Sequence, residues 1–182
     1  MRPDTRRQRY DTKLRNATKY PISLCAINFR VDDNLGYLVR SAACFGAERI
    51  YVVGHVPKRS RLKATSGSLV DYVEIIQFAR PSEFLTHMQI TGTQVVAAEL
   101  VAGSRPLVSY AFNFDRPISL VVGNEESGVP VEILRKADIV HIPMPGIGYC
   151  LNTAQAANII LYEAVRQYDV IQATSLTSTL TN

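Results

Sequence analysis

Six short runs of β-branched and apolar residues, alternating with longer stretches of helical period, constrain this chain more than any other feature of its sequence. The runs are Ser23–Phe29, Arg49–His55, Val73–Phe78, Gln94–Leu100, Ile118–Gly123 and Asp138–Met144. Most are apolar at successive positions, so neither face can stand in water; strands covered on both faces belong to parallel sheets with helices on each side. Helical period at Leu35–Phe45, Pro81–Thr91, Val129–Ala137 and Leu151 to about Ala173 supplies the covering layers. The prediction is an α/β fold, a three-layer and mostly parallel sheet of about six strands. With 182 residues, 47% of them hydrophobic, the chain suits one domain and can bury a core.

The first helix carries punctuation at both ends: Asn34 stands where an N-cap belongs, after Asp32 and Asp33, and Gly46 follows the last turn. The last helix, LNTAQAANIILYEAVRQY, is apolar nearly all round, which predicts burial on two sides. A second copy of the chain is the expected cover, giving a homodimer. The tail, residues 174–182 and ending in SLTSTLTN, is polar and expected to fray. No run of about 18 apolar residues is present and MRPDTRRQRYDTKLRNATKY has no apolar core, so neither a membrane span nor a secretory signal is expected, and the cytoplasm is the default location.

Charge is uneven. The formal net charge is +4. Residues 1–20 hold Arg2, Arg6, Arg7, Arg9, Lys13, Arg15 and Lys19 against Asp4 and Asp11, a local +5 that leaves residues 21–182 at −1. A second basic run, Lys58, Arg59, Arg61 and Lys63, reads as a surface loop. Together the arm and the loop fit the footprint of a phosphate backbone. Cys25 and Cys44 lie in apolar segments and read as small buried hydrophobes. With Cys150 they form an odd set without metal-ligand spacing; His55, His87 and His141 are scattered, and no metal site is expected.

Three segments carry chemistry. In NLGYLVRSAACFG, residues 34–46, Arg40 leans toward the preceding turn, where Gly36 leaves room for it to reach the helix mouth and Asn34. In LVVGNEESGVP, residues 120–130, an apolar run enters a loop with the acids Glu125 and Glu126, at the carboxyl end of a strand, where open α/β sheets bind ligands. No Lys-Ser/Thr follows Gly128 and G-x-G-x-x-G occurs nowhere, which disfavours a nucleoside triphosphate or dinucleotide. In IPMPGIGYCLNTAQAAN, residues 142–158, a Pro- and Gly-rich loop leads through Cys150 and Asn152 into the apolar helix. Polar residues there suit contact with a ligand better than packing.

In this order and spacing the three segments resemble the motifs of the SpoU/TrmH (SPOUT) RNA ribose methyltransferases: Asn-x-Gly-x-x-x-Arg-x-Ala-x-x-Phe-Gly, a Gly-x-Glu loop, and Ile-Pro-Met…Ser-Leu-Asn…Leu-Tyr-Glu. The likeness covers about residues 20–168, with the core domain placed at 21–173 between the arm and the tail.

The resemblance implies a C-terminal trefoil knot in the α/β fold, a homodimer with composite sites, S-adenosylmethionine as cofactor, and methylation of a ribose 2′-hydroxyl in tRNA or rRNA. It implies Arg40 as the catalytic residue that binds or activates that hydroxyl, with Asn34 and Glu125 holding it and Asn152 and Cys150 completing the set. The cofactor is expected at Ala98, Glu99, Leu100, Gly123, Ile142, Met144 and Leu151. RNA is expected at Arg6, Arg7, Arg9, Lys58, Arg59, Arg61 and Lys63. Because a guanidinium offers donors and no acceptor, Arg40 reads better as an orienting group than as a base. The chain departs from the family pattern at Cys150, where Ser is usual, at Glu126, where Gly is usual, and at Ala154, where a second Ser is often found. Those departures leave a second reading, a catalytically silent RNA-binding relative.

Overall fold

Strand parity accounts for the middle of this molecule. The computed structural model describes residues 5–179; Arg2 of the arm and residues 180–182 of the tail lie outside that range. Strand β1 (Ile22–Ile27) is buried at every position. Its Ile22, Leu24 and Ala26 belong to one apolar cluster and its Cys25 and Ile27 to another, because successive side chains of a strand point to opposite faces. A strand that feeds two cores must be apolar throughout, and β6 (Ile118–Val122) repeats the pattern beside it.

Seven strands form the sheet, in the order β3-β2-β1-β6-β4-β7-β5, and every strand pair is parallel. The others are β2 (Arg49–Val53), β3 (Glu74–Phe78), β4 (Gln94–Ala98), β5 (Arg105–Pro106) and β7 (Asp138–His141). Each of the six predicted runs overlaps a strand, with no end shifted by more than three residues: β2, β4, β6 and β7 begin at the predicted residue and β3 ends at it. The seventh, β5, has only two residues and no periodicity to betray it.

The chain builds outward from β1 through α2 (Asp32–Phe45), β2, α3 (Arg59–Ser66) and β3, then reverses through α4 (Pro81–Ile90) to β4. Right-handed crossovers running in opposite directions along a sheet leave their helices on opposite faces. Leu35, Leu38 and Leu62 of α2 and α3 accordingly pack in the first cluster, and Phe84 and Met88 of α4 in the second. Ile133 of α5 (Val131–Leu134) joins the second cluster, and α6 (Thr153–Thr179) returns to the first through Ala157, Ile160, Leu161 and Ala164. Helix α6 runs past Ala173, where periodicity places its end.

Several expectations are corrected here. The segment read as a basic loop is helix α3 from Arg59 onward, ended by Gly67 in the left-handed region at φ 66°. Asn34 is not an N-cap: Val31 holds that position without a side-chain bond, and Asn34 lies inside α2, buried. Gly46 does end the helix, at φ 71°. Cys25 is fully buried but Cys44 is exposed on the outer side of α2. Gly36 is small for a reason other than making room for Arg40: a Cβ there would lie 1.6 Å from Oγ1 of Thr65, so the glycine lets α3 close on α2.

Gly36→Ala should therefore destabilise the fold by about 1–3 kcal/mol, the range for an overpacked core, measured by urea denaturation. A loss below about 0.5 kcal/mol would show that Thr65 can turn aside.

Candidate active site

The β6–α5 loop is shaped by its own side chains. Oδ1 of Asn124 accepts the backbone N–H groups of Glu126 (2.9 Å) and Ser127 (3.0 Å), an Asx turn. Its Nδ2 donates to the carbonyl of Asn28 just after β1. Asn124 and Gly128 exchange backbone hydrogen bonds at 3.1 and 3.0 Å. A Cβ on Gly123 would lie 2.2 Å from the carbonyl carbon of Gly128, a backbone approach that admits no side chain. From this loop Glu125 projects across the carboxyl end of the sheet toward the start of α2.

The Glu125 carboxylate accepts from the backbone N–H groups of Arg30 (2.8 Å) and Val31 (3.2 Å) and from Nδ2 of Asn34 (2.6 Å). Partial burial pushes its pKa up, but the backbone donors of Arg30, Glu125 itself and Val31, together with the Asn34 amide, outweigh that and hold it below the usual value. With its amide nitrogen committed, Asn34 presents Oδ1 to Nδ2 of Asn152 at 3.0 Å. Asn152 in turn presents Oδ1 to the N–H groups of Ala154 (2.9 Å) and Gln155 (3.3 Å), capping α6. Beside it the buried Thr153 hydroxyl donates to the carbonyl of Gly123 at 2.9 Å.

This chain of hydrogen bonds stands between two hollows. One, of about 520 Å³, opens at the carboxyl ends of β4, β6 and β7. Every residue assigned to the cofactor from sequence lines it: Ala98, Glu99, Leu100, Gly123, Ile142, Met144 and Leu151. Glu125, Cys150 and Asn152 line it too. The other, of about 700 Å³, holds Arg40 with Asn34 and Asn152. Asn152 faces both. Arg40 is exposed and makes no hydrogen bond or ion pair among the described residues, so Asn34 and Glu125 hold Asn152 rather than Arg40.

Sequence reasoning missed several participants. Arg30 gives Glu125 its backbone N–H and forms an exposed ion pair with Glu126, which binds the loop after β1 to the β6–α5 loop. Glu99 was assigned to ligand contact, yet its carboxylate also accepts the N–H of Val129 at 2.8 Å. His141 lines the cofactor-sized hollow with Nδ1 at 2.9 Å from Oγ of Ser104; that hydroxyl already donates to the Val101 carbonyl, so Nδ1 is the donor. Only Thr153, a hydroxyl next to a capping Asn, was discoverable from a local pattern.

The basic residues fall into two groups. Helix α1 (Arg6–Leu14) makes two and a half turns beyond the sheet, started by a capping box between Thr5 and Gln8. It docks through Tyr10, whose ring meets Tyr72 edge-on with centroids 5.7 Å apart. Arg6, Arg7 and Arg9 are exposed on it. On α3, Arg59 and Lys63 both pair with Asp71 (2.6 and 3.4 Å) and Arg61 makes a two-pronged contact with Asp33 (2.6 and 2.9 Å). Lys58 alone of the four has no acid partner among the described residues. No group of three or more His, Cys, Asp or Glu able to hold a metal occurs among the described residues, and no helix there is long and apolar enough to cross a membrane.

Comparison with known proteins places this site in a family. A 23S rRNA (uridine(2479)-2′-O)-methyltransferase from Streptomyces viridochromogenes is 33% identical over 141 residues, covering 74% of this chain and 48% of that protein. A tRNA (guanosine(18)-2′-O)-methyltransferase from Aquifex aeolicus is 34% identical over 146 residues, 78% of this chain and 67% of that one. This chain thus spans about half to two thirds of their length. Among solved structures, the A. aeolicus TrmH/SpoU tRNA modifying enzyme aligns with a TM-score of 0.75 at 26% identity, covering 91% of this chain and 87% of that one. An AdoMet-bound rRNA methyltransferase from Sinorhizobium meliloti aligns at 0.74 and 31% identity, covering 84% of this chain and 59% of that one. The model of the SpoU rRNA Methylase family matches residues 21–162, the whole sheet and the whole hydrogen-bonded site, and the chain belongs to that family.

Proposed function

We propose that this protein transfers a methyl group from S-adenosylmethionine to a ribose 2′-hydroxyl of tRNA or rRNA. The observation that carries the reading is Asn152, held through Asn34 by Glu125 at the wall between a ligand-sized hollow and the cleft of an unpaired arginine. Family membership and the names of the relatives supply the reaction class.

The hollow fits the cofactor by size and chemistry. Its volume of about 520 Å³ lies within the ordinary range for small-molecule sites. Ile142, Met144 and Leu151 offer an apolar wall, while Glu99 and Glu125, neither paired with a cation among the described residues, place carboxylates around it that complement a sulfonium cation. When bound there, S-adenosylmethionine would supply an electrophilic methyl group. Arg40 binds and orients the ribose hydroxyl and its neighbouring phosphate with up to five donors. Asn152 bridges the two hollows and keeps its amide direction through Asn34 and Glu125. Holding both reactants in register is where most of the acceleration arises.

We infer also that two copies pair through the outer side of α6 and that the C-terminal segment is threaded as in the family's knot. Ile159 and Tyr162 of α6 are 40% and 55% exposed, and a partner helix would cover them. RNA would meet the exposed cations of the arm. The silent-relative reading draws on Cys150, exposed in the hollow where the family has Ser, and the experiment below separates the two.

Purified protein with cofactor and total bacterial RNA should yield new 2′-O-methylnucleosides by mass spectrometry. Arg40→Ala should lower that rate by about 100-fold or more and leave cofactor affinity by calorimetry within about twofold. Cofactor binding without product would favour the silent relative. Because the folded pKa of Glu125 lies below its ordinary 4.5, its stabilising contribution is full above that value and is lost as pH falls through the lower folded one. Urea denaturation from about pH 7 to 3 should show a flatter acid limb for Glu125→Gln than for wild type, and superimposable limbs would refute the assignment.

A further inference from the structure

Another hollow, beside Arg40, lies away from the cofactor candidate. It has a volume of about 830 Å³, runs between α1 and the outer side of α2, and is lined by Arg9, Lys13, Lys19 and Arg40. No Asp or Glu lines it among the described residues. Arg9, Lys13 and Arg40 have no acid partner there, and Lys19 reaches only the carbonyl of Ala47 at 3.4 Å. On α3, by contrast, Arg59, Arg61 and Lys63 are each paired with an acid. Arg9 and Lys13 stand one turn apart on α1, which brings them onto the same side of that helix. Between the cations lie Tyr10, Tyr20 and Tyr72, half-buried and held by their hydroxyls to Gly67, Asp169 and Asp11.

Unpaired cations interleaved with fixed aromatic rings are the two parts of a single-strand nucleic-acid track: the charges follow the backbone and the rings stack with bases. Paired bases are already stacked and cannot use the rings. We propose that the α1–α2 groove binds a single-stranded RNA segment flanking the target nucleotide and delivers that nucleotide to Arg40. Arg40 lines both this groove and the cleft shared with Asn34 and Asn152, so a strand in the groove ends at the site. This deepens the reading above, on which the choice of RNA rests. It keeps Arg9 among the RNA contacts, adds Lys13 and Lys19, and leaves out the acid-paired α3 cations.

The test is binding of a fluorescein-labelled oligouridylate of about 12 nucleotides, followed by anisotropy over a range of salt. Each phosphate contact to a single strand contributes about 0.7 to the slope of log affinity against log salt. Arg9→Ala/Lys13→Ala should lower the slope by about 1.4 and weaken binding roughly tenfold or more at about 0.1 M salt. Arg59→Ala/Lys63→Ala should leave the slope unchanged. An abasic oligomer of equal length should bind more weakly at an unaltered slope. All four substituted side chains are exposed, and matched melting curves check that both variants fold; Lys19→Glu is an independent probe of the same groove. The reverse pattern, an equal effect of both pairs, equal affinity for the abasic strand, or a change in sedimentation in place of a change in slope would overturn the proposal, the last by assigning the groove to a second copy of the chain. Absence of methylated product with the wild-type slope intact would defeat the reading of activity and leave the groove standing.

Discussion

A group that can only accept hydrogen bonds gives this site its direction. The Glu125 carboxylate takes three donors, one of them the Asn34 amide nitrogen, and from there no freedom remains: Asn34 must offer oxygen to Asn152, and Asn152 must offer oxygen to the first N–H groups of α6. An amide side chain is normally ambiguous between two orientations. Here a negative charge at one end and a helix N-terminus at the other remove the ambiguity, although the two amides they orient, Asn34 and Asn152, stand 118 positions apart.

The same network joins chemistry to stability. A capping side chain is worth about 1 kcal/mol to its helix, and α6 contributes Ile160 and Leu161, both fully buried, to the larger core. Site and core therefore share Asn152. The β6–α5 loop makes a comparable connection, since its Asx turn aims Glu125 while Asn124 ties the loop to Asn28. Glu126, unusual for the family, finds a counterpart in Arg30 of this chain, so the departure is accommodated by a second residue on the facing loop.

Much of this was legible in the residues themselves. Buried parallel strands announce themselves because both faces need apolar side chains, as in β1 and β6, and the αL turn at Gly46 is a local event that a glycine reports locally. What misled was every feature decided from far away. Asn34 looks like a cap until Glu125, 91 positions distant, claims it. Gly36 looks like space for Arg40 until Thr65 fills that space. Helix α3 buries only Leu62 and Ser66, too few apolar positions to show a period. The cofactor-sized hollow was found through family likeness, and no spacing rule would have assembled Ala98, Gly123 and Met144 from three separate strand ends.

Strand β5 has a consequence of its own. A sheet edge with free N–H and C=O groups invites another chain to add a strand, and short edges or prolines prevent it. One margin of this sheet ends in two residues, the second of them Pro106, which has no N–H to give. That margin cannot template a continuous sheet between molecules, which protects an otherwise well-formed stack of parallel strands from growing indefinitely. Copies of the chain meeting on that side are left to recognise one another by side chains.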